Sequence, residues 1–508
     1  MTKAAFAVLC AVVLSPTLLV DIPAMGDYLN HLARMHILSA AGTTAANPFY
    51  EVKWGPYPYL AMDLLVPALA SVLGVEAATK SFLLLSQVLI VTGAMMLEGV
   101  VKGRQQFAGL SALALLYSLP FAWGFLNFEF GMGVALWGIS AWLLIRDRSQ
   151  ILQLFAHSLF ATVVYASHFL AFGIYGAVIG LYELWRFNQG RNVKKAAITL
   201  AILANPLVLL LIAFGLDAGG SYRTEWIFSW KLYSIFHAMS GYNRVLSALA
   251  MALVIAAAYV MCRRGNLKIV HAGTWIAVGL ALIFLAMPFR VSGSAFADVR
   301  VLVAAGLVLP AFITIEPASV NLGARCAIAL FALVNAAHVA SIWVSYKGEY
   351  TRIKASFGLI ERHSKVLVGH SGDGKDPPSD LGELPIHHAP VLAVGFASAL
   401  VPSLAAFAGI LPVQMRTSFK DFGVVEPGYE SPVPLPLLRA IADGLDTDAI
   451  PQHARAWHRR YQYLYLVGPR IPNPMPGRLQ ELSGGNRFAL YRIATTPPDH
   501  VHETTSKD

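Results

Sequence analysis

Apolar runs of about twenty residues follow one another through two thirds of this chain. A helix needs about 20 predominantly apolar residues to cross a hydrocarbon core about 30 Å thick. The first run is 4–20, and others lie near 80–100, 106–120, 130–145, 150–166, 169–185, 196–215, 245–262, 271–288, 301–315 and 324–345. Of the 508 residues, 56% are hydrophobic and only 13% charged, against about 25% charged in an ordinary soluble domain. This is the pattern of a polytopic α-helical membrane protein, with the lipid bilayer as solvent. The net charge of +9 is too thinly spread for a nucleic-acid partner, and lysines and arginines flanking the spans account for it. Cys10, Cys262 and Cys326 all sit in apolar runs, so neither a disulfide framework nor a thiolate metal cluster is on offer.

Charge settles how the chain is threaded. The first run follows "MTK" like a signal peptide, but no small-x-small cleavage site precedes Asp21, and it reads as an uncleaved anchor. The run "YLAMDLLVPALASVLGV" at 59–75 is short and holds Asp63 and Pro67. If it lies in a first external loop, 21–79, the short inner loops carry Lys102 and Arg104, Arg146 and Arg148, Arg186 with Arg191, Lys194 and Lys195, and Arg263, Arg264 and Lys268. The positive-inside bias requires that arrangement; counting 59–75 as a span puts every cluster outside. The expected topology is therefore about eleven transmembrane helices in an inner (cytoplasmic) membrane, with a cytoplasmic N-terminus.

The unusual polar and aromatic stretches then share the outer side: "DIPAMGDYLNHLARM" (21–35), "PFAWGFLNFEFG" (120–131), "YASHF" (165–169), "DAGGSYRTEWIFSWKLYSIFH" (217–237) and "FRVSGSAFADVR" (289–300). Loops converging on one membrane face look like a built site. After Tyr346 the composition turns polar and turn-rich, as in "ERHSKVLVGHSGDGKDPPSD" and "WHRRYQYLYLVG". A transmembrane module, 1–346, is thus expected to precede a C-terminal soluble α/β domain, 347–508, on the extracytoplasmic (periplasmic) side. Residues 389–413 are long and apolar enough to span, but internal prolines and many small residues fit a buried strand and helix, and the soluble reading is adopted.

"GDYLNHLARMHIL" after the first span resembles the opening loop of the GT-C membrane glycosyltransferases, where an acidic residue follows the first helix and begins an amphipathic segment with a Tyr or His a turn later. "GPYPYLAMDLLVPALASVLGVEAATKSF" resembles their next element, a proline-containing helix lying in the membrane interface. The many spans and a C-terminal extracytoplasmic domain are similar too. Asp27-Tyr28 stands where several branches have Asp-Glu. The resemblance implies glycosyl transfer from a polyprenyl-phosphate-linked sugar to a glycan, lipid or protein acceptor outside the cell. That agrees with an outward site, where nucleotide sugars are scarce, and with the lack of a glycine-rich phosphate loop. No cofactor is specified; whether a divalent cation takes part stays open.

Within that frame Asp27 is the candidate base, because a carboxylate in a partly desolvated cleft can take the proton of an attacking hydroxyl. The plainer alternative is an N-cap. His31 and Arg34 lie four and seven residues on and would share its helical face, with His31 the second catalytic candidate. Asp21 is the runner-up base, although a simple stop at the end of the span explains it. Asp63 and Glu129 are ionisable groups in apolar surroundings, hence functional candidates; Asp63 in an interfacial helix could simply cap or pair. Asn127 and Glu129, with Trp123 and the phenylalanines of 120–131, are expected to line a sugar or lipid pocket, an aromatic belt being the duller reading. Arg290 and Arg300, with Asp298 between them, are expected to clamp the departing lipid phosphate; a weak Arg300–Asp298 surface pair is the alternative. Arg223 and Lys231 are second phosphate candidates on a loop that could act as a lid, and His168 could orient substrate. A transporter or flippase of a lipid-linked sugar competes, but repeats and midplane charges are not evident. A GT-C relative that has lost its chemistry is the third reading.

Overall fold

The computed structural model describes residues 2–209, 211, 224–291, 293–372, 384–424 and 432–494. The apolar runs are helical, as their composition demands. Among the described residues, the helices Val75–Lys102, Leu126–Ile145 and Arg244–Arg263, and a fourth beginning at Ala318, are long and apolar enough to cross a membrane. Gln150–Ser167 and Phe169–Gly190 are of similar length but more polar, carrying Gln153 and His157, Glu183 and Arg186. The protein is a multi-pass membrane protein. Leu126–Ile145 lies at its centre, packed against Val75–Lys102, Gln150–Ser167 and Phe169–Gly190. A Cβ on Gly133 would stand 2.6 Å from the Cβ of Leu89, so a glycine is what lets the first two helices come so close.

Several runs expected to be continuous are broken beside a proline, which lacks an N–H and clashes with the carbonyl four residues back. The first becomes Lys3–Leu14 and Pro16–Leu19. Run 106–120 becomes Ala108–Leu115 with a short helix, Leu119–Ala122, started by Pro120. Run 301–315 becomes Ala297–Val308, a 3-10 turn at Pro310 and a strand, Ile313–Ile315, that pairs antiparallel with Leu267–Ile269.

Residues 59–75 form a helix of 13 residues, Ala61–Leu73. At 1.5 Å per residue it is about 20 Å long, short of a bilayer core. Gly74, at φ +78°, ends it and turns the chain into Val75–Lys102. One face buries Met62, Asp63 and Val66 while Leu64, Leu65, Leu69 and Val72 are exposed, as suits a helix lying along lipid.

The last long helix, Ala318–Ser356, has 39 residues, about 58 Å. It runs through Tyr346, where the composition changes. Its far end seats a five-stranded sheet in the order Val433–Pro434, Val366–His370, Tyr463–Val467, Phe488–Ile493, Leu479–Gly484. The first two pairings are parallel and the last two antiparallel. Tyr463–Val467 is buried throughout, with Tyr463, Tyr465 and Val467 on one core and Leu464 and Leu466 on the other, the period-2 division of a strand covered on both faces. The Ser356 hydroxyl meets that of Tyr465 at 2.9 Å, and Asn486 N–H donates to Glu349.

Residues 389–413 are not one helix. They form a 3-10 turn, Ala389–Leu392, a short helix, Ala393–Phe396, and irregular chain, with the prolines at 390 and 402 again preventing a longer one. This segment packs as a roof on the helix Tyr28–Ala40 and is stitched to the first loop. Asn47 Nδ2 donates to the carbonyls of Val394 and Ala399, and the Tyr50 hydroxyl to that of Val401. Strand Tyr50–Val52 pairs antiparallel with Val413–Met415.

Candidate active site

The first loop is fixed where it crosses 120–131. Gly26 and Asp27 donate their backbone N–H groups to the carbonyls of Ala122 and Trp123 at 3.0 and 2.8 Å. Gly124 has φ +85°, and a Cβ there would lie 2.9 Å from the amide nitrogens of Asp27 and Tyr28. Any larger residue at 124 would push the loop away, so this crossing sets the position of Asp27.

Asp27 occupies the N-cap position of the helix Tyr28–Ala40, but its side chain makes no capping hydrogen bond. The carboxylate is therefore not consumed in the helix end. It keeps 36% of its side-chain surface free although it lies deep among protein atoms, as a group lining a cleft does. Burial pushes its pKa up to about 6, and the charges of Arg300 and Arg34 hold it from rising further. His31 is one turn on; burial, with the Arg34 charge, pushes it down to about 3, so it is neutral at ordinary pH.

Arg34 is engaged within the fold through its Nε. Its Nε donates to Asp63 Oδ1 at 2.8 Å, with both side chains buried, which ties the opening helix to the helix Ala61–Leu73. Asp63 thus pairs instead of capping. Removing one partner of such a pair leaves an uncompensated buried charge, worth about 3–5 kcal/mol. Arg34→Ala or Asp63→Ala is expected to lower the melting temperature of the detergent-purified protein markedly, and an unchanged melting curve would contradict this. The same helix is capped from across the site, since Asn127 Oδ1 accepts from Met62 N–H and its Nδ2 donates to the Tyr59 carbonyl. Both ends of the Asn127 amide are thus taken up by the backbone around the start of that helix.

Arg300, on the helix Ala297–Val308, is buried to 2% exposure. Its guanidinium stacks 3.7 Å from the centroid of the Phe125 ring and donates through Nη2 to Ser294 Oγ and the Ala295 carbonyl. Nη1 lies 3.3 Å from His168 Nε2. His168 Nδ1 already accepts from Leu170 N–H at 3.0 Å, so its proton sits on Nε2. Two N–H donors therefore face each other, an arrangement that an anion between them would satisfy. Burial, and after it the Arg300 charge, pushes His168 well below its usual range, keeping it neutral. The Tyr59 ring stands edge-on to His168, 5.0 Å between centroids. Glu129 is buried beside the Arg300 charge with Oε1 lacking a hydrogen-bond partner.

The structure thus brings together Asp27, His31, Arg34, Asp63, Asn127, Glu129, His168 and Arg300. It does not draw Arg290 into this group: its Nη1 donates to the Gly293 carbonyl at 2.9 Å, and its Nε lies 3.8 Å from Glu225. Asp298 pairs not with Arg300 but with Lys231, at 3.2 Å, and Lys231 also donates to the carbonyls of Phe284 and Met287. That lysine is saturated by its neighbours, and of the two arginines expected as a clamp Arg300 joins the group and Arg290 does not. Arg223 and the rest of 217–223 lie outside the described residues. Asp21 is exposed. Among the described residues no three His, Cys, Asp or Glu side chains gather as a metal site. Sequence reasoning missed His388, whose Nε2 is 3.8 Å from Asp27 Oδ1, and Tyr59; "YPYL" drew notice only as part of the interfacial helix.

The fold is that of the GT-C membrane glycosyltransferases. Two solved structures with this architecture are those of ArnT from Cupriavidus metallidurans. The form bound to undecaprenyl phosphate superposes with a TM-score of 0.54 at 10% identity, covering 98% of this chain and 99% of that one. The apo form gives a TM-score of 0.52 at 12% identity, covering 97% and 98%. No family model matches the sequence, and no curated protein does.

Proposed function

We propose that this chain is an integral-membrane inverting glycosyltransferase, moving a sugar from a polyprenyl-phosphate donor to an acceptor outside the cytoplasm. Asp27 takes the proton of the acceptor hydroxyl as its oxygen attacks the anomeric carbon. The bond from that carbon to the phosphate oxygen breaks, and the departing polyprenyl phosphate carries the electron pair. Arg300 and the Nε2–H of His168 receive the charge that develops on the phosphate. The observation that carries this reading is the pair of opposed donors, Arg300 Nη1 and His168 Nε2, in one buried site with a carboxylate that makes no capping bond at a helix start. Support for the lipid donor comes from the fold shared with ArnT, which was solved with undecaprenyl phosphate bound.

The reading includes about eleven spans in the cytoplasmic membrane, an N-terminus inside, and residues 347–508 as an extracytoplasmic domain over the site. Its direct test is the purified protein in bilayers with a polyprenyl-phosphate sugar, following release of polyprenyl phosphate. The base must be ionised to act, so turnover should rise tenfold per pH unit on the acid side and level off above about 6, the value to which burial lifts Asp27. A profile flat from pH 5 to 7 would remove Asp27 from the role.

A further inference from the structure

Asn30 occupies the turn after Asp27 and faces the roof. Its Oδ1 accepts the N–H of Ala405 at 2.8 Å, which fixes the orientation of the amide. Its Nδ2 donates to the Ser403 carbonyl at 3.3 Å and lies 3.0 Å from His388 Nδ1. An amide nitrogen has only protons to offer, so Nδ1 of His388 must accept, and the imidazole proton sits on Nε2. That is the nitrogen 3.8 Å from Asp27 Oδ1. A chain of forced choices thus runs from a backbone amide of the roof, through Asn30 and His388, to the carboxylate. Hydrogen bonds of this kind are often long without substrate and tighten in the reacting complex.

We infer that His388 is a positioning residue for Asp27: held by Asn30 as the neutral Nε2–H tautomer, it donates to Oδ1 and leaves the other carboxylate oxygen to take the acceptor's proton. The inference rests on Asp27 being the base of the proposed transfer. His388 transfers no proton; it orients the carboxylate and stabilises its ionised form. Other charged or titratable groups facing Asp27 among the described residues are Arg34 and His31 from its own helix and Arg300 from the helix Ala297–Val308. With His388 the roof completes the site instead of only covering it.

The experiment follows the Asp27 carboxyl by infrared titration of the full-length protein in bilayers, its band identified by loss in Asp27→Asn. His388→Ala should raise the midpoint by about half a unit or more, since a hydrogen bond to the ionised form is gone. His388→Gln, whose amide can still donate, should return it toward the wild-type value. Turnover of His388→Ala should fall about tenfold, as when an orienting partner is removed, with donor KM unchanged and the acid limb displaced alongside the titration. A wild-type midpoint in His388→Ala overturns the inference, whatever happens to turnover. A midpoint in His388→Gln as displaced as in His388→Ala overturns it too. Wild-type turnover in Asp27→Asn would instead overturn the base assignment, while leaving the titration result to stand.

Discussion

Asp27→Asn is expected to insert and fold, to bind the lipid-linked donor, and to lose about 10²-fold or more in turnover, the low end for removal of a general base. The amide matches the carboxylate in shape, and the backbone bond from Asp27 to Trp123 that places the residue is untouched. No capping bond is lost, because the carboxylate makes none. Stability should hold or improve at neutral pH. The folded pKa of about 6 lies above the unfolded carboxylate value of about 3.9, so the folded protein binds this proton more tightly. Ionised Asp27 therefore disfavours the fold increasingly as pH rises from about 4 to about 6, and fully above that. Asn cannot ionise. Melting curves at pH 7.5 separate a chemical defect from a folding one, and turnover equal to wild type would reject the base. Asp21→Asn and His31→Gln should reduce turnover less.

Arg300→Ala should have an effect of similar size on a different step. The guanidinium lies against both His168 and Glu129, and removing a preorganised group that stabilises a developing oxyanion lowers turnover about 10²–10³-fold. Donor binding should weaken as well, since the phosphate is already charged in the ground state. Arg300→Lys should recover only part of this: an ammonium lacks the planar fork, and the stacking on Phe125 and the bonds to Ser294 and Ala295 depend on that plane. Arg290→Ala is the comparison. Because Arg290 is occupied by Gly293 and Glu225, it should leave donor kinetics near wild type. Unchanged donor kinetics in Arg300→Ala would remove the phosphate role altogether.

The residues that could be read from the sequence were those whose presence is physically awkward. Asp63 and Glu129 stand out because ionisable groups are rare in apolar segments, Arg300 because an outward arginine runs against the positive-inside bias, and Asp27, His31 and Arg34 because helical spacing links them. Partnership was less legible. Arg34 with Asp63, and Asp298 with Lys231 in place of Arg300, depend on how helices pack, which no local pattern encodes. His388 left no signal of its own, since the bond that gives it meaning joins residues 358 apart. The helical character of the apolar runs followed from composition. Their breaks at Pro16, Pro120 and Pro310 were open to reading but lay inside runs treated only as lengths of apolar sequence. The roof at 389–413 had the hydropathy of a span, and what distinguishes it is burial under other chain, a tertiary property.

The helix Ala318–Ser356 bears on how the chain can be taken apart. The composition invites a cut at Tyr346, yet Tyr346, Glu349 and Ser356 all make bonds to the sheet from within that one helix. A fragment starting at 347 would begin inside a helix and leave Arg487 without the Tyr346 hydroxyl. A graft of this C-terminal region onto another membrane module would have to inherit helical phase as well as sequence, because 3.6 residues make a turn and each residue added or removed before the sheet swings it by about 100°. The graft therefore has to carry the helix that holds Tyr346, Glu349 and Ser356, and the first loop that grips the roof must travel with it.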